Sequence, residues 1–320
     1  MATAIVDLMA VTEIPTLALE TALATDGPLP QFSKHAGETA STVVDGYDSP
    51  DIIVGFDEVG RGSLAGPVMV GAAAIRAADL PVLDVPAGVA DSKMLTEKRR
   101  ESIYDELENW AAAYAVGSST SAEIDEWGIS HALGIAALRA LAAVETLLLC
   151  PDFEGIAVPA EAAVEDILAR PVIVAGRGAD AASDRHDPVI GSRERDTQQE
   201  TEESFHSRDE NRPLRILGIL DGPSDYISKA IYTFDAPDLP VVPRMTTQVK
   251  GDRHCATIAT AAVIAKVTRD RLMEQLGDLP AYAPYRWRDN KGYGSQAHRD
   301  AIRDHGVTPF HRTSWKLLKD

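Results

Sequence analysis

Four acidic residues stand where apolar runs end: Asp57 and Glu58 after Ile52-Ile53-Val54-Gly55-Phe56, Asp221 after residues 214–220, and Asp252 after residues 240–249. Carboxylates clustered at strand ends are costly, because like charges a few ångströms apart raise one another's pKa. Divalent cations remove that cost. Mg²⁺ takes oxygen ligands, keeps several waters and completes its shell with substrate phosphate oxygens. Two such ions about 4 Å apart can activate a water and stabilise the leaving oxygen of a phosphodiester. Gly60-Arg61-Gly62 follows directly. Its glycines let backbone N–H groups approach a ligand closely, and with Arg61 they suit a phosphate or sugar oxygen.

Each acid has a plainer reading on its own. Asp221-Gly222 is equally a turn, and Asp252 equally a cap for the helix after it. Adjacent strand residues face opposite ways, so Asp57 and Glu58 share one site only if the chain bends, and Gly55 and Gly60 are where a bend is expected.

The elements that must position these residues begin at Asp51. Strands are expected over 52–56 and 67–75 as an antiparallel pair, with a third over 111–118. Thr96 caps a charged helix running to about Trp110, Ser121 opens a polar helical turn, and 129–149 is a long Ala/Leu helix. A strand over 214–220 and an extended segment over 240–249 each end in an acid. A helix over 254–276, a loop over 280–294 and a short helix over 295–304 complete the chain. Residues 1–50 lack a sustained period and read as a disordered arm, with at best a short helix over 16–24. Residues 151–213 read as a disordered acidic insertion, with a little structure at most up to Ala175.

The chain has 320 residues, 45% of them apolar, enough for a substantial core. No run approaches the roughly 18 apolar residues that cross a bilayer, since Arg139 and Glu145 interrupt 132–150. The N-terminus carries Asp7, Glu13 and Glu20 before its first cation, Lys34, the wrong charge for an export signal. A cytoplasmic, monomeric protein without membrane association is expected. Cys150 and Cys255 have no CxxC or Cys/His spacing, and a packing role is expected for Cys255. The net charge of −18 argues against a polyanion ligand until it is divided by segment. Residues 1–50 hold one Lys against seven acids and 151–213 seven Arg against fifteen, whereas 214–320 hold sixteen Lys and Arg against twelve acids. The last third is locally basic, and distribution outweighs the total.

GFDEVGRGSLAGP, DSKMLTEKRRE, ILDG, KGD before IATAAVIAKVTRDRLM, NKGYGS with His298, and GVTPFHRTSW resemble, in order, the motifs of type 2 ribonuclease H, ribonuclease HII. The resemblance covers residues 51–150 and 214–320. It implies an α/β ribonuclease H-like fold, a mixed sheet flanked by helices with a small helical C-terminal region. It implies a metal-dependent endonuclease that hydrolyses the RNA strand of RNA/DNA hybrids, leaving 5′-phosphates, and cuts 5′ to single ribonucleotides embedded in duplex DNA, as in ribonucleotide excision repair. Asp57, Glu58, Asp221 and Asp252 would be the catalytic acids holding Mg²⁺ or Mn²⁺. Asp57 would bridge both ions, with Asp252 on the nucleophile side and Glu58 and Asp221 on the leaving-group side. Gly60, Arg61 and Gly62 would read the ribose 2′-OH, the group that separates RNA from DNA. Tyr293 would pack on the sugar of the next nucleotide; without the resemblance it reads as an aromatic at the edge of the core. Ser92, Lys93, Lys250, Lys266 and Arg269 are candidate phosphate contacts, although an ion pair with Asp270 or Glu274 accounts equally well for Arg269. His311 and Arg312 match the closing motif and are either functional or fold-stabilising. The insertion, Pro223 in place of the family's frequent Asn, and Met94 in place of a second Lys depart from the pattern. A non-catalytic hybrid-binding protein is the alternative, but it has no reason to cluster acids beside a phosphate. A small-substrate phosphatase leaves Gly60–Gly62 and Tyr293 unexplained.

Overall fold

Strand β1 (Ile52–Val59) buries seven of its eight residues and β2 (Val68–Arg76) eight of nine. Strands covered on both faces are what uninterrupted apolar runs encode. A computed structural model describes residues 14–25, 49–178 and 213–318. It places these strands at the centre of a six-stranded mixed sheet with β3 (Ala113–Ser119), β4 (Val172–Gly176), β5 (Ile216–Asp221) and β6 (Arg244–Gln248), in the order β4-β3-β2-β1-β5-β6. β1 to β4 form an antiparallel series, while β5 is parallel to β1 and β6 to β5.

Helices cover both faces. Preceding them in the chain are α1 (Ala18–Ala24), α2 (Glu97–Trp110), capped by the Thr96 hydroxyl, and α3 (Ser121–Trp127), opened by a Thr120/Glu123 capping box. α4 (Ile129–Leu149) packs with Val54, Phe56, Val68 and Val70 on one face. After α5 (Val164–Leu168), α6 (Ile227–Ala230) and α7 (Gly251–His254), helix α8 (Ala256–Asp278) packs on the other face over Val59, Met69 and Ala73. Small residues make the approach close: a Cβ at Gly55 would stand 2.3 Å from the Thr257 carbonyl carbon, and one at Gly71 2.3 Å from the Ala261 oxygen. Gly55 therefore makes room for a helix and does not bend the strand, which stays paired with β2 through Val59. Two short elements, α9 (Trp287–Asn290) and α10 (Gln296–His305), form the C-terminal region.

Four further expectations need correction. Residues 14–25, expected within a disordered arm, are docked on the domain. Cys255, at φ −105° and ψ 125°, breaks the helix expected over 254–276, and Thr16 bridges the break by donating to His254 O and accepting from Ala256 N, both at 3.0 Å. The buried Glu20 carboxylate then accepts from Thr257 N and Oγ1 at 2.9 Å. Residues 151–178 are not an insertion either, because β4 pairs with β3 and α5 packs in the core. The edge strand carries little signal because only five residues, two of them buried, hold its pattern. Residues 1–13, 26–48 and 179–212 of the two expected disordered segments lie outside the described residues. Finally, α4 is long and apolar enough to cross a membrane by length and composition alone, contrary to the sequence reading, but most of it is buried against the sheet and α6.

α4 also buries Glu145, whose Oε2 accepts from Val241 N at 3.0 Å while Oε1 has no partner among the described residues. Burial pushes its carboxyl up to about 7 from the ordinary 4.5. The folded protein thus holds this proton more tightly than the unfolded chain. The stability so gained is complete below pH 4.5 and is lost as pH rises through about 7, a change on the order of 3 kcal/mol. Glu145→Gln keeps an acceptor for Val241 N and has no charge to desolvate. Its melting temperature relative to wild type should climb between pH 5 and pH 8, and parallel melting curves across that range would refute this.

Candidate active site

β1 and β5 run in register with Phe56 opposite Leu220, and one step further along the ladder Asp57 and Asp221 stand side by side. Asp57 follows Gly55 on the face that α8 covers. The third acid arrives from β6: Lys250, at φ 57°, turns the chain sharply into α7, and Gly251 N donates to Asp221 Oδ1 at 2.7 Å. This brings Asp252 to the same edge. Glu58 points the other way, as alternation along an unbent strand demands. Its Oε1 accepts from Arg61 Nη1 at 3.0 Å and its Oε2 from the Tyr226 hydroxyl at 3.1 Å. Asp57, Asp221 and Asp252 are thus neighbours, and Glu58 joins them across the strand end.

The electrostatics bear the marks of crowding. Burial first, then the charges of Asp221, Glu58 and Asp252, push the Asp57 carboxyl well above the ordinary carboxylate range, against the pull of Lys93. Asp252 is pushed up to about 6 by burial, then by Asp221 and Asp91. Lys93 Nζ approaches Asp252 Oδ2 at 3.8 Å. Burial disfavours its charge, but Asp57, Asp252, Asp91 and Asp221 outweigh burial and raise its pKa. Asp91 fixes this lysine from behind, accepting from Lys93 N at 2.9 Å and facing Arg253 Nε at 3.3 Å.

Among the described residues, no three His, Cys, Asp or Glu side chains are already gathered tightly enough to enclose a metal ion. The donor chemistry nonetheless fits a hard divalent cation. Asp57 is buried, repelled by three acids and without an ion-pair partner among the described residues. Mg²⁺ needs only one or two protein carboxylates when phosphate and water supply the rest.

Beside the acids lies the glycine turn. Gly60 has φ +81°, and a Cβ at Gly62 would meet nothing within 4 Å, so that position faces open space. Leu64 N and Ala65 N donate to Gly292 O at 2.8 and 3.2 Å, joining the turn to the loop that carries Tyr293. The Tyr293 ring is 37% exposed, with Lys266 Nζ 6.0 Å and Arg269 Cζ 5.7 Å from its centroid. The two halves of the expected sugar-reading surface are therefore adjacent.

The candidate phosphate contacts divide. Lys93 and Lys250 are exposed, whereas Ser92 is buried with its carbonyl accepting from Arg100 Nη1 at 2.9 Å. Lys266 is paired with Asp270 at 2.7 Å. Arg269 is neither a phosphate contact nor an ion-pair partner. Wholly buried, it donates to Pro67 O, Ala65 O, Lys291 O and Ser63 Oγ at 2.8 to 3.2 Å. Arg312 is buried beside it and donates to Gly60 O, Arg61 O, Gly66 O and the same Ser63 hydroxyl. Burial, then the charge of Arg269, pushes Arg312 down to about 9. Sequence reasoning missed Tyr226, Asp91 and the Arg269–Ser63–Arg312 unit. The position of Tyr226 five residues beyond Asp221 was the one available hint for it.

Comparison with known proteins places the chain in a family. The ribonuclease HII family model matches residues 54–183 and 225–318. Ribonuclease HII of Streptomyces coelicolor is 34% identical over 267 residues, spanning 83% of this chain and 78% of that protein. Ribonuclease HII of Shewanella baltica is 33% identical over 271 residues, spanning 85% and 90%. The solved structure of Bst-RNase HIII in complex with Mn²⁺ superposes with a TM-score of 0.50 at 16% identity, covering 94% of this chain and 79% of that one, and shares its fold. The chain thus belongs to the ribonuclease HII family and is a ribonuclease H.

Proposed function

We propose that this ribonuclease H hydrolyses the RNA strand of RNA/DNA hybrids and cuts 5′ to single ribonucleotides embedded in duplex DNA, with two Mg²⁺ or Mn²⁺ ions held by Asp57, Glu58, Asp221 and Asp252. The observation that carries the reading is the pair of hydrogen bonds from Leu64 N and Ala65 N to Gly292 O. They tie the turn that follows two of the acids to the loop that presents Tyr293, so acids, glycine turn and aromatic ring form one surface. Bound divalent ions would supply an activated water and a counter-charge for the leaving oxygen.

The protein's own groups do the rest. Gly62 leaves space for the ribose, and the Arg61 and Gly62 N–H groups engage no acceptor among the described residues, leaving them for substrate oxygens. Tyr293 offers its exposed ring to the sugar of the next nucleotide, where a deoxyribose fits and an extra hydroxyl does not. Lys93 places a cation at the phosphate-facing rim of the acids. Tyr226 orients Glu58. A non-catalytic hybrid binder would gain nothing from burying Asp57 among three other acids, since that charge opposes a phosphate.

Duplexes carrying one ribonucleotide, four or none, incubated with protein and Mg²⁺, test the reading. Cleavage is expected 5′ to the lone ribonucleotide and within the four-ribonucleotide tract, with the all-DNA duplex intact. An uncut lone ribonucleotide beside a cut tract would remove the role given to Tyr293. Asp57→Asn should lower the rate by about 10³-fold, the scale of losing one preorganised charge-stabilising group. Without metal it should melt no lower than wild type, because burial and three neighbouring acids already disfavour the ionised form that the substitution removes; wild-type turnover would refute the assignment. Tyr226→Phe removes one hydrogen bond to a carboxylate, about 1.5 kcal/mol, and should cut kcat about tenfold at unchanged KM. An unchanged kcat would show that Glu58 needs no such support.

A further inference from the structure

Two guanidinium groups lie wholly inside the protein beneath the Gly60–Gly62 turn, and the chemistry of the acids does not account for them. Arg269, on α8, and Arg312, in the closing segment, have no exposed surface, and neither is ion-paired with a carboxylate among the described residues. A buried charge without a counter-charge is sustained only by a full set of hydrogen bonds. Here those bonds are spent on the main chain of the glycine turn and its neighbours.

Arg312 donates to Gly60 O at 2.6 Å, Arg61 O at 2.9 Å and Gly66 O at 3.1 Å. Arg269 reaches across to the Tyr293 loop, donating to Lys291 O at 2.9 Å. Both meet at one atom, the Ser63 hydroxyl oxygen, at 2.8 Å from Arg269 and 3.0 Å from Arg312. Ser63 Oγ in turn donates to Gly60 O at 2.7 Å. The consequence is directional. Carbonyls at the turn are drawn inward, while the Arg61 and Gly62 N–H groups stay free of acceptors among the described residues. Two positive charges, with Asp270 and Asp125 acting on them but neither in a close ion pair among the described residues, also stand behind the surface proposed to receive a polyanion.

We propose that Arg269 and Arg312, joined through Ser63, are positioning residues for ribose discrimination: they lock the glycine turn and the Tyr293 loop in one register, so that a ribose and the deoxyribose after it are read together. This rests on the roles given above to Gly60–Gly62 and Tyr293. Neither arginine touches substrate. Their planar forks hold several carbonyls at once, which a lysine ammonium of the same charge cannot do.

Arg312→Lys, which keeps the charge, separates the field from the fork. In steady-state assays of the full-length protein, kcat/KM on the lone-ribonucleotide duplex should fall at least about tenfold further than on the four-ribonucleotide tract, because a small misplacement of a reading group costs a factor of this size or more. Mn²⁺ binding measured by calorimetry should stay within about twofold, since the acids are untouched. A lower melting temperature with equal losses on both duplexes would overturn the proposal and leave a purely structural role. If Arg312→Lys does not fold, Ser63→Ala, which removes one bond from each guanidinium, should shift the same ratio about threefold, and an unchanged ratio there would overturn the proposal equally. Wild-type protein that ignores the lone ribonucleotide would overturn the underlying reading. Wild-type discrimination that survives in both variants would overturn this inference alone.

Discussion

Repulsion among carboxylates at the ends of two neighbouring parallel strands is the constraint on which the molecule is built. Parallel pairing of β1 with β5 sets Asp57 beside Asp221, and the short turn from β6 adds Asp252. An edge so charged would not persist on a soft frame. β1 and β2 are sealed on both faces, and the Gly55 and Gly71 contacts bring α8 almost onto the strand backbone. Packing at interior density leaves the strand ends little freedom to spread. The energy of burying apolar surface is thereby used to hold charges that would otherwise separate.

The same sheet end carries the turn proposed for recognition. The chain leaves β1 at Glu58 and Val59 and enters the glycine turn at once, so the distance between the acids and the N–H groups at Arg61 and Gly62 is fixed by a few covalent bonds. What the covalent chain cannot fix is the orientation of those N–H groups, because Gly60 and Gly62 permit many conformations. That freedom is removed from below by Arg269 and Arg312 and from the side by Gly292 O. Flexible sequence and rigid structure are reconciled by hydrogen bonds from residues more than 200 positions away.

Much of this was legible in the sequence where local signals are strong. The central strands, the Thr96 cap, the full span of α4 and the acids at strand ends follow from apolar runs and capping chemistry. Where meaning depends on a distant partner, the reading failed. Gly55 reads as a bend because its helix neighbour is 202 positions ahead in sequence at Thr257. β4 looked like insertion because a short edge strand carries little pattern, and Glu20 looked like arm because its partner is 237 residues away. Arg269 suggested a phosphate contact because charge is visible in a sequence and burial is not.

The C-terminal region shows how far hydrogen-bond logic extends beyond what distance alone gives. His298 Nδ1 faces Tyr293 O at 2.9 Å, and since a carbonyl only accepts, that nitrogen carries the proton. His298 Nε2 is then the acceptor, taking Trp287 Nε1–H at 2.9 Å and His311 Nε2–H at 3.1 Å. His311 Nδ1 must accept in turn, and Thr308 supplies both its N–H and its hydroxyl at 2.9 Å. Each tautomer fixes the next, so the chain has one direction, from Thr308 to the Tyr293 carbonyl. A proton added to either ring would set donor against donor. Burial lowers the pKa of both, with His298 helping to hold His311 down at about 4, and the network stays neutral and intact at neutral pH. The main chain of Tyr293, the residue proposed to face the sugar, is therefore held by a buried relay ending in the closing motif. This is why a motif so far along the sequence from the acids belongs to the same surface as the Tyr293 loop.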